Sequence, residues 1–169
     1  RVAHARAALV RGGDHPVREA RHAVEVAHHG VRPARGPHDL DHARRLDLAD
    51  GTRLELNTDT AVDVVFDERE RLIRLRAGEV FIRTGKRGDT RPFFVESHQG
   101  RVQALGTSFS VRQLSHRTHV GVLEDQVRIL PNAGSGEGGL LKAGESADFD
   151  SYSLGSSRLC RPTETAWVD

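Results

Sequence analysis

The chain has 169 residues, of which 37% are hydrophobic and 29% charged, with a net charge of +1. That is about one ordinary domain, able to bury roughly two thirds of its unfolded surface in one core and leave an appendage over. The balanced charge excludes the basic excess of a dedicated nucleic-acid binder, and no run approaches 18 consecutive apolar residues, so the sequence holds no transmembrane helix. Cys160 is the single cysteine, which rules out an intramolecular disulfide and leaves the redox compartment open. The N-terminus lacks the basic start, apolar core and small-residue cleavage site of a signal peptide, so an export signal or anchor would lie outside these residues.

Residues 1–45 differ in composition from the rest. They hold nine Arg against five Asp or Glu, and seven of the ten His, whereas residues 46–169 hold 16 basic against 19 acidic residues. Gly12-Gly13, Pro16, Pro33, Gly36 and Pro37 interrupt the segment, leaving Val17–His29 as one short helix with Asp14 as its cap and a thin apolar face. We expect a weakly structured segment. Its Arg, Ala, His, Gly and Pro bias resembles GC-rich DNA read in a shifted frame or from an early start.

Period-two alternation begins at Arg45. Leu46, Leu48, Leu54 and Leu56 face one way while Asp47, Arg53 and Glu55 face the other, as a half-buried sheet requires. Asp50-Gly51 between them predicts a tight turn, since both positions can adopt positive φ at little cost. Val62, Val64 and Phe66 continue the alternation up to a charged turn at residues 67–70. Strands are then predicted over Leu72–Arg76, Glu79–Thr84, Pro92–Glu96, Arg101–Leu105, Thr107–Gln113, Arg117–Leu123, Gln126–Leu130, Leu140–Lys142 and Ser146–Phe149. Small or acidic turns at Ala77-Gly78, Leu105-Gly106, Glu124-Asp125 and Ala143-Gly144 punctuate them, and residues 132–139 form a flexible Gly/Ser loop.

So many strands in so few residues leave no room for crossover helices. The predicted fold is all-β: short antiparallel strand pairs stacked as a sandwich or a solenoid-like domain over residues 46–150, with a weakly structured N-terminal segment and a polar tail at 151–169. The spacings between successive turns, 27, 28, 19 and 19 residues, are too irregular for a strict repeat. They still suggest pairs stacked along one axis over a continuous core.

No catalytic constellation stands out. The sequence has neither a G-x-S-x-G elbow nor a phosphate loop, and Cys160 sits in a polar tail without a nearby His. Ser108 and Ser110 flank Phe109 and read as solvent-facing hydroxyls rather than nucleophiles, since no base lies near in sequence. His38 and His42, with Asp39 or Asp41, and the pair His28-His29 have metal-ligand spacing, but the segment has little helical drive and no second ligand cluster, so solvated histidines are the better reading. Arg1, Arg6, Arg11, Arg18 and Arg21 lack interleaved aromatics to stack on bases. Asp59, Asp63, Asp67 and Glu70 lie on strand-like sequence rather than in a calcium loop. We therefore expect no catalytic, metal or cofactor residues, and partner-contact residues are not legible. Phe81, Phe93, Phe94 and Phe109 read as core, except that consecutive Phe93 and Phe94 must point to opposite faces, leaving one as an exposed anchor.

Several motifs occur in order: D-G-T at Asp50 leading to Leu56-Asn57, L-x-x-G-E-x-F from Leu75 to Phe81, R-P-F-x-V from Arg91, A-L-G-T-x-F-x-V from Ala104, and V-x-V-L-E-x-x-V from Val120. Through them the sequence from Leu46 to about Ser146 resembles the FecR domain of sigma-factor regulators. The resemblance implies a periplasmic relay domain that takes a signal from a TonB-dependent outer-membrane receptor, for an iron siderophore or haem, to an extracytoplasmic-function sigma factor. It implies protein partners, the receptor's signalling domain and the sigma factor, with no reaction, cofactor, nucleic acid or small-molecule substrate. Members of the family carry an anti-sigma segment and a membrane helix, neither of which residues 1–45 resemble, and a C-terminal receptor-like subdomain; the polar tail at 151–169 reads as the start of a truncated C-terminal region. The alternative is a β-rich ligand- or carbohydrate-binding module, which calls for clustered exposed aromatics; Tyr152 and Trp167, both in the tail, supply no such platform.

Overall fold

A computed structural model describes residues 44–85, 88–133, 138–161 and 167–168. The helix expected at Val17–His29, the His and Arg sets before residue 44 and the middle of the 132–139 loop lie outside the described residues.

Among the described residues, thirteen strands form two sheets. The first sheet contains β1 (Arg44–Asp47), β2 (Arg53–Leu56), β5 (Glu79–Arg83), β8 (Ser108–Gln113), β9 (Thr118–Glu124), β12 (Glu145–Phe149) and β13 (Arg158–Leu159), in that spatial order. The second runs β11 (Leu140–Lys142), β10 (Gln126–Pro131), β7 (Gly100–Ala104), β6 (Phe93–Glu96), β4 (Arg71–Ala77) and β3 (Ala61–Phe66). The all-β expectation holds, as a sandwich. Alternation drives it: Leu54, Leu56, Val80, Ile82, Phe109, Val111, Val120 and Val122 from the first sheet meet Val64, Ile73, Leu75, Phe93, Val95, Val102, Val127 and Ile129 from the second in one core. Each such side chain removed from water stabilises the fold by about 1.5–3 kcal/mol before its ordering entropy is counted.

The small-residue turns do something other than close hairpins. Gly78, Gly106, Asp125 and Gly144, with φ of 83°, 87°, 58° and 82°, each sit between a strand of one sheet and the next strand in the other. They are corners. A single left-handed residue turns the chain from one layer into the other, and the two strands it joins pair with different neighbours. True hairpins form instead at the turn after β1, at residues 67–70 after β3, at 97–99 after β6 and at 114–117 after β8.

Three corners stack in register. Leu105 N–H donates to the Gln126 carbonyl at 3.3 Å, and Ala143 N–H donates to that of Asp125 at 2.8 Å. The stacking of strand pairs along one axis is thus observed, with L-shaped pairs rather than hairpins as the unit. One pair departs from the antiparallel pattern: β4 and β6 run parallel, because the chain visits the first sheet as β5 before returning beside β4. At the Asp50-Gly51 turn, only Gly51 has positive φ, at 83°. Asp50 instead uses its side chain, accepting the Thr52 N–H at 2.9 Å.

The tail is less detached than its polarity suggests. β13 pairs with β12, and Cys160 N–H donates to the Gly144 carbonyl at 2.8 Å.

Candidate functional site

The D-G-T and A-L-G-T motifs, more than fifty residues apart in sequence, converge at one end of the sandwich. Thr52 is fully buried; its hydroxyl donates to Asp50 Oδ2 at 2.7 Å and accepts the Gly85 N–H at 3.1 Å. Thr107 is tied to the same loop, its N–H donating to Thr84 Oγ1 at 2.9 Å while Thr84 N–H donates back to the Thr107 carbonyl at 3.1 Å. Gly85 allows the close approach: a Cβ there would fall 2.3 Å from the Asp50 carbonyl oxygen. These ties frame an open cleft of about 360 Å³ lined by Gly51, Arg53, Arg83, Gly106, Ser108 and Glu124 together with Thr84, Gly85 and Thr107.

A charged row crosses the outer face of the first sheet beside that cleft. Strand register places Asp47, Arg53, Arg83, Ser108 and Glu124 opposite one another across five strands. Asp47 accepts from Arg53 Nε at 2.7 Å, which raises the guanidinium's pKa, and Ser108 Oγ donates to Glu124 Oε2 at 2.6 Å. Glu124 reaches the row because the register shifts beside Ser108: Leu123 is an extra residue, and the bulge turns the next side chain to the outer face. Arg83 has no carboxylate or hydrogen-bond partner among the described residues and lies over the Phe81 ring, 5.2 Å from its centroid.

Behind the cleft, a second ionic group fixes the end of the sandwich. The Arg71 side chain, 8% exposed, donates to Asp50 Oδ2 at 2.9 Å and twice to the Arg91 carbonyl at 3.1 and 2.8 Å, with Phe93 5.4 Å beneath it. Arg91 in turn donates to Asp89 at 2.6 Å and to the Asp67 carbonyl. The Arg91 hydrogen bond holds the Asp89 carboxyl down at about 2, against the opposing effect of its burial.

The residues singled out in sequence fall as follows. Phe93 and Phe109 are core, and Phe81 is buried but on the outer face, under Arg83. Phe94 is half-buried rather than exposed, because the Arg101 guanidinium lies 5.6 Å from its ring centroid. Ser108 and Ser110 are buried, at 6% and 1% exposure, and not solvent-facing: Ser108 is bonded to Glu124, and Ser110 Oγ has no hydrogen-bond partner among the described residues. The four acidic residues are dispersed. Asp59 takes a positive φ of 56°, Asp63 pairs with Arg76 at 2.8 Å, Asp67 accepts the Glu70 and Arg69 amides that lower its pKa, and Glu70 pairs with Arg101 at 3.3 Å. Among the described residues no group of three or more His, Cys, Asp or Glu is placed to hold a metal ion, and no helix is long and apolar enough to cross a membrane. Tyr152 is the one strongly exposed aromatic among them.

Sequence reading missed the Arg53–Arg83 neighbourhood and the Arg71–Asp50 pair. The first depends on strand register between distant segments and the second on the β1–β2 turn packing against the start of β4, and only the motif residues Asp50 and Thr107 carry a signal.

The family model for FecR protein matches residues 40–128, from the first strand through the V-x-V-L-E segment. The chain belongs to the FecR family. Two crystal structures of a candidate anti-sigma factor from Parabacteroides distasonis ATCC 8503 share the fold with this FecR chain, with a TM-score of 0.64 at 23% identity over 75% of it. The chain spans 60% of that neighbour's length. Comparison with curated proteins gave no match. As a family, FecR proteins are regulatory rather than enzymatic.

Proposed function

We propose that this FecR-family chain is the periplasmic relay domain of a regulator that carries a signal from a TonB-dependent outer-membrane receptor to an extracytoplasmic-function sigma factor, in siderophore or haem uptake. The signal passes by protein contact, without a chemical step. The observation that carries the reading is the family match over the sandwich itself, residues 40–128.

The fold supplies surfaces suited to such contact. β3, at the edge of the second sheet, is six residues long with Asp63 as its one charge and no proline or lysine, and its outer backbone groups are unpaired among the described residues. An edge of this kind accepts an added strand. Sigma-factor binding belongs to other segments of the regulator.

Two experiments test the proposal. A pull-down between the chain and the N-terminal signalling domain of a neighbouring TonB-dependent receptor is expected to retain the receptor domain, and the adjacent genes are expected to encode that receptor and a sigma factor. A neighbourhood of metabolic enzymes together with no retention would overturn it.

A further inference from the structure

We infer that the cleft at the motif end of the first sheet is a carboxylate-binding site, with Arg83 as its main ligand and Arg53 as its flank. The inference is independent of the relay reading.

The first support is an arrangement that costs stability if nothing binds. Arg53 and Arg83 are direct cross-strand partners on one face, and like charges in that position repel. Arg53 is compensated by Asp47 at 2.7 Å, but among the described residues Arg83 is not: its neighbour on the other side is Ser108, a neutral hydroxyl that makes no hydrogen bond to it and cannot balance its charge. Its hydrophobic stem and head cover Phe81, which holds the guanidinium in place while leaving its donors unused among the described residues. Local violations of this kind concentrate at functional sites.

The second support is shape. The uncompensated guanidinium lines a cleft of about 360 Å³ whose floor is fixed by the Thr52–Gly85 and Thr84–Thr107 hydrogen bonds. Gly106, at φ of 87° with open space where a Cβ would stand, widens the mouth. A prebuilt wall keeps the ordering cost of binding small.

Glu124 decides the class of anion. It stands at the other end of the row, two strands from Arg83, so a polyphosphate filling the cleft meets a negative charge. A single carboxylate set against the planar guanidinium fork does not. An Asp or Glu side chain of a bound polypeptide and a small free carboxylate present the same chemistry, and only the polypeptide adds contacts along the cleft.

The test is an amide and arginine-Nε NMR titration of the 169-residue chain at constant ionic strength with three probes: blocked aspartate (N-acetyl-aspartate N-methylamide), its blocked asparagine isostere, and sodium acetate. Blocked aspartate is expected to shift Gly106, Thr107 and the Arg83 Nε–H saturably in the millimolar range, at least about tenfold more tightly than blocked asparagine, the scale of one charge-assisted pair. Arg83→Gln is expected to abolish the difference, Arg83→Lys to keep part of it, and Arg112→Gln on the same face to leave it intact. Tighter binding of blocked aspartate than of acetate assigns the site to a polypeptide; equal binding assigns it to free carboxylates. Equal shifts with aspartate and asparagine on the wild-type chain, or shifts that survive Arg83→Gln, overturn the site whatever the outcome of the receptor pull-down.

Discussion

Gly78, Gly106 and Gly144 hold nearly the same left-handed φ at equivalent corners, yet the space around them differs, and this separates two contributions to stability. At Gly106 and Gly144 nothing lies within 4 Å of a built Cβ, so alanine meets only the left-handed backbone penalty. That penalty is about 1–2 kcal/mol per residue. At Gly78 the same substitution also places Cβ 2.4 Å from Thr60 Oγ1 and 2.6 Å from Thr60 Cα, against a residue whose hydroxyl is bonded to both the N–H and the carbonyl of Glu79 at 3.0 Å. Backbone cannot swing aside, and overpacking adds about 1–3 kcal/mol, for a total of about 2–5 kcal/mol. Guanidinium unfolding followed by far-ultraviolet circular dichroism gives all three values. The expected Tm loss is about 4–8 °C for Gly106→Ala and Gly144→Ala and about 8–20 °C for Gly78→Ala, taking about 4 °C per kcal/mol for a domain of this size. Asparagine, which tolerates the left-handed region, is expected to restore part of the loss at 106 and 144 but not at 78. Equal losses at all three sites, or recovery of Gly78 by asparagine, would refute the reasoning about the corners.

Three further outcomes follow from the polar groups. Arg71→Met leaves Asp50 buried without its cation and is expected to cost about 3–5 kcal/mol in urea unfolding, against under about 1 kcal/mol for the exposed Arg69→Met. Asp89, lowered in the folded state to about 2 from 3.8, contributes stability that is fully present above pH 3.8 and is lost as pH falls through about 2. The stability gap between wild type and Asp89→Asn should therefore hold at pH 5, narrow below pH 3.8 and close near pH 2 in unfolding curves taken across that range. Ser110→Ala and Ser146→Ala remove buried hydroxyls that have no partner, and are expected to leave Tm unchanged or raise it by a few degrees in calorimetry, the reverse of the usual loss on deleting a hydrogen-bonding group.

Much of the sandwich is legible in the sequence because alternation is a local property. Leu54-x-Leu56, Val62-x-Val64 and Val120-x-Val122 each announce a strand and the face it buries. The turns announce a reversal of direction but not its kind. A left-handed glycine serves a hairpin after β1 and a change of layer after β4, and the local sequence is compatible with both. Which happens is decided by what the next strand can pair with, a long-range matter. The cleft is less legible for the same reason. Asp47, Arg53, Arg83, Ser108 and Glu124 are brought into one row by four successive registers, and the bulge at Leu123 inverts the face of Glu124 relative to simple alternation. Polar alternation places Ser108 and Ser110 on the outer face of the sheet, and burial of that face is invisible to a single strand. The motif residues fare better: Thr52 and Thr107 are tied to the loop at Thr84-Gly85, which gives two of the shared motifs a structural reason.

We propose that this FecR-family sandwich relays a signal by contact. It is tested most directly by deleting residues 46–150 in frame from the gene that encodes the chain and sequencing transcripts with and without an iron-siderophore or haem inducer. The account predicts that one sigma-factor regulon stops responding to inducer while growth on other nutrients is unchanged. A regulon that still responds fully after the deletion would contradict it.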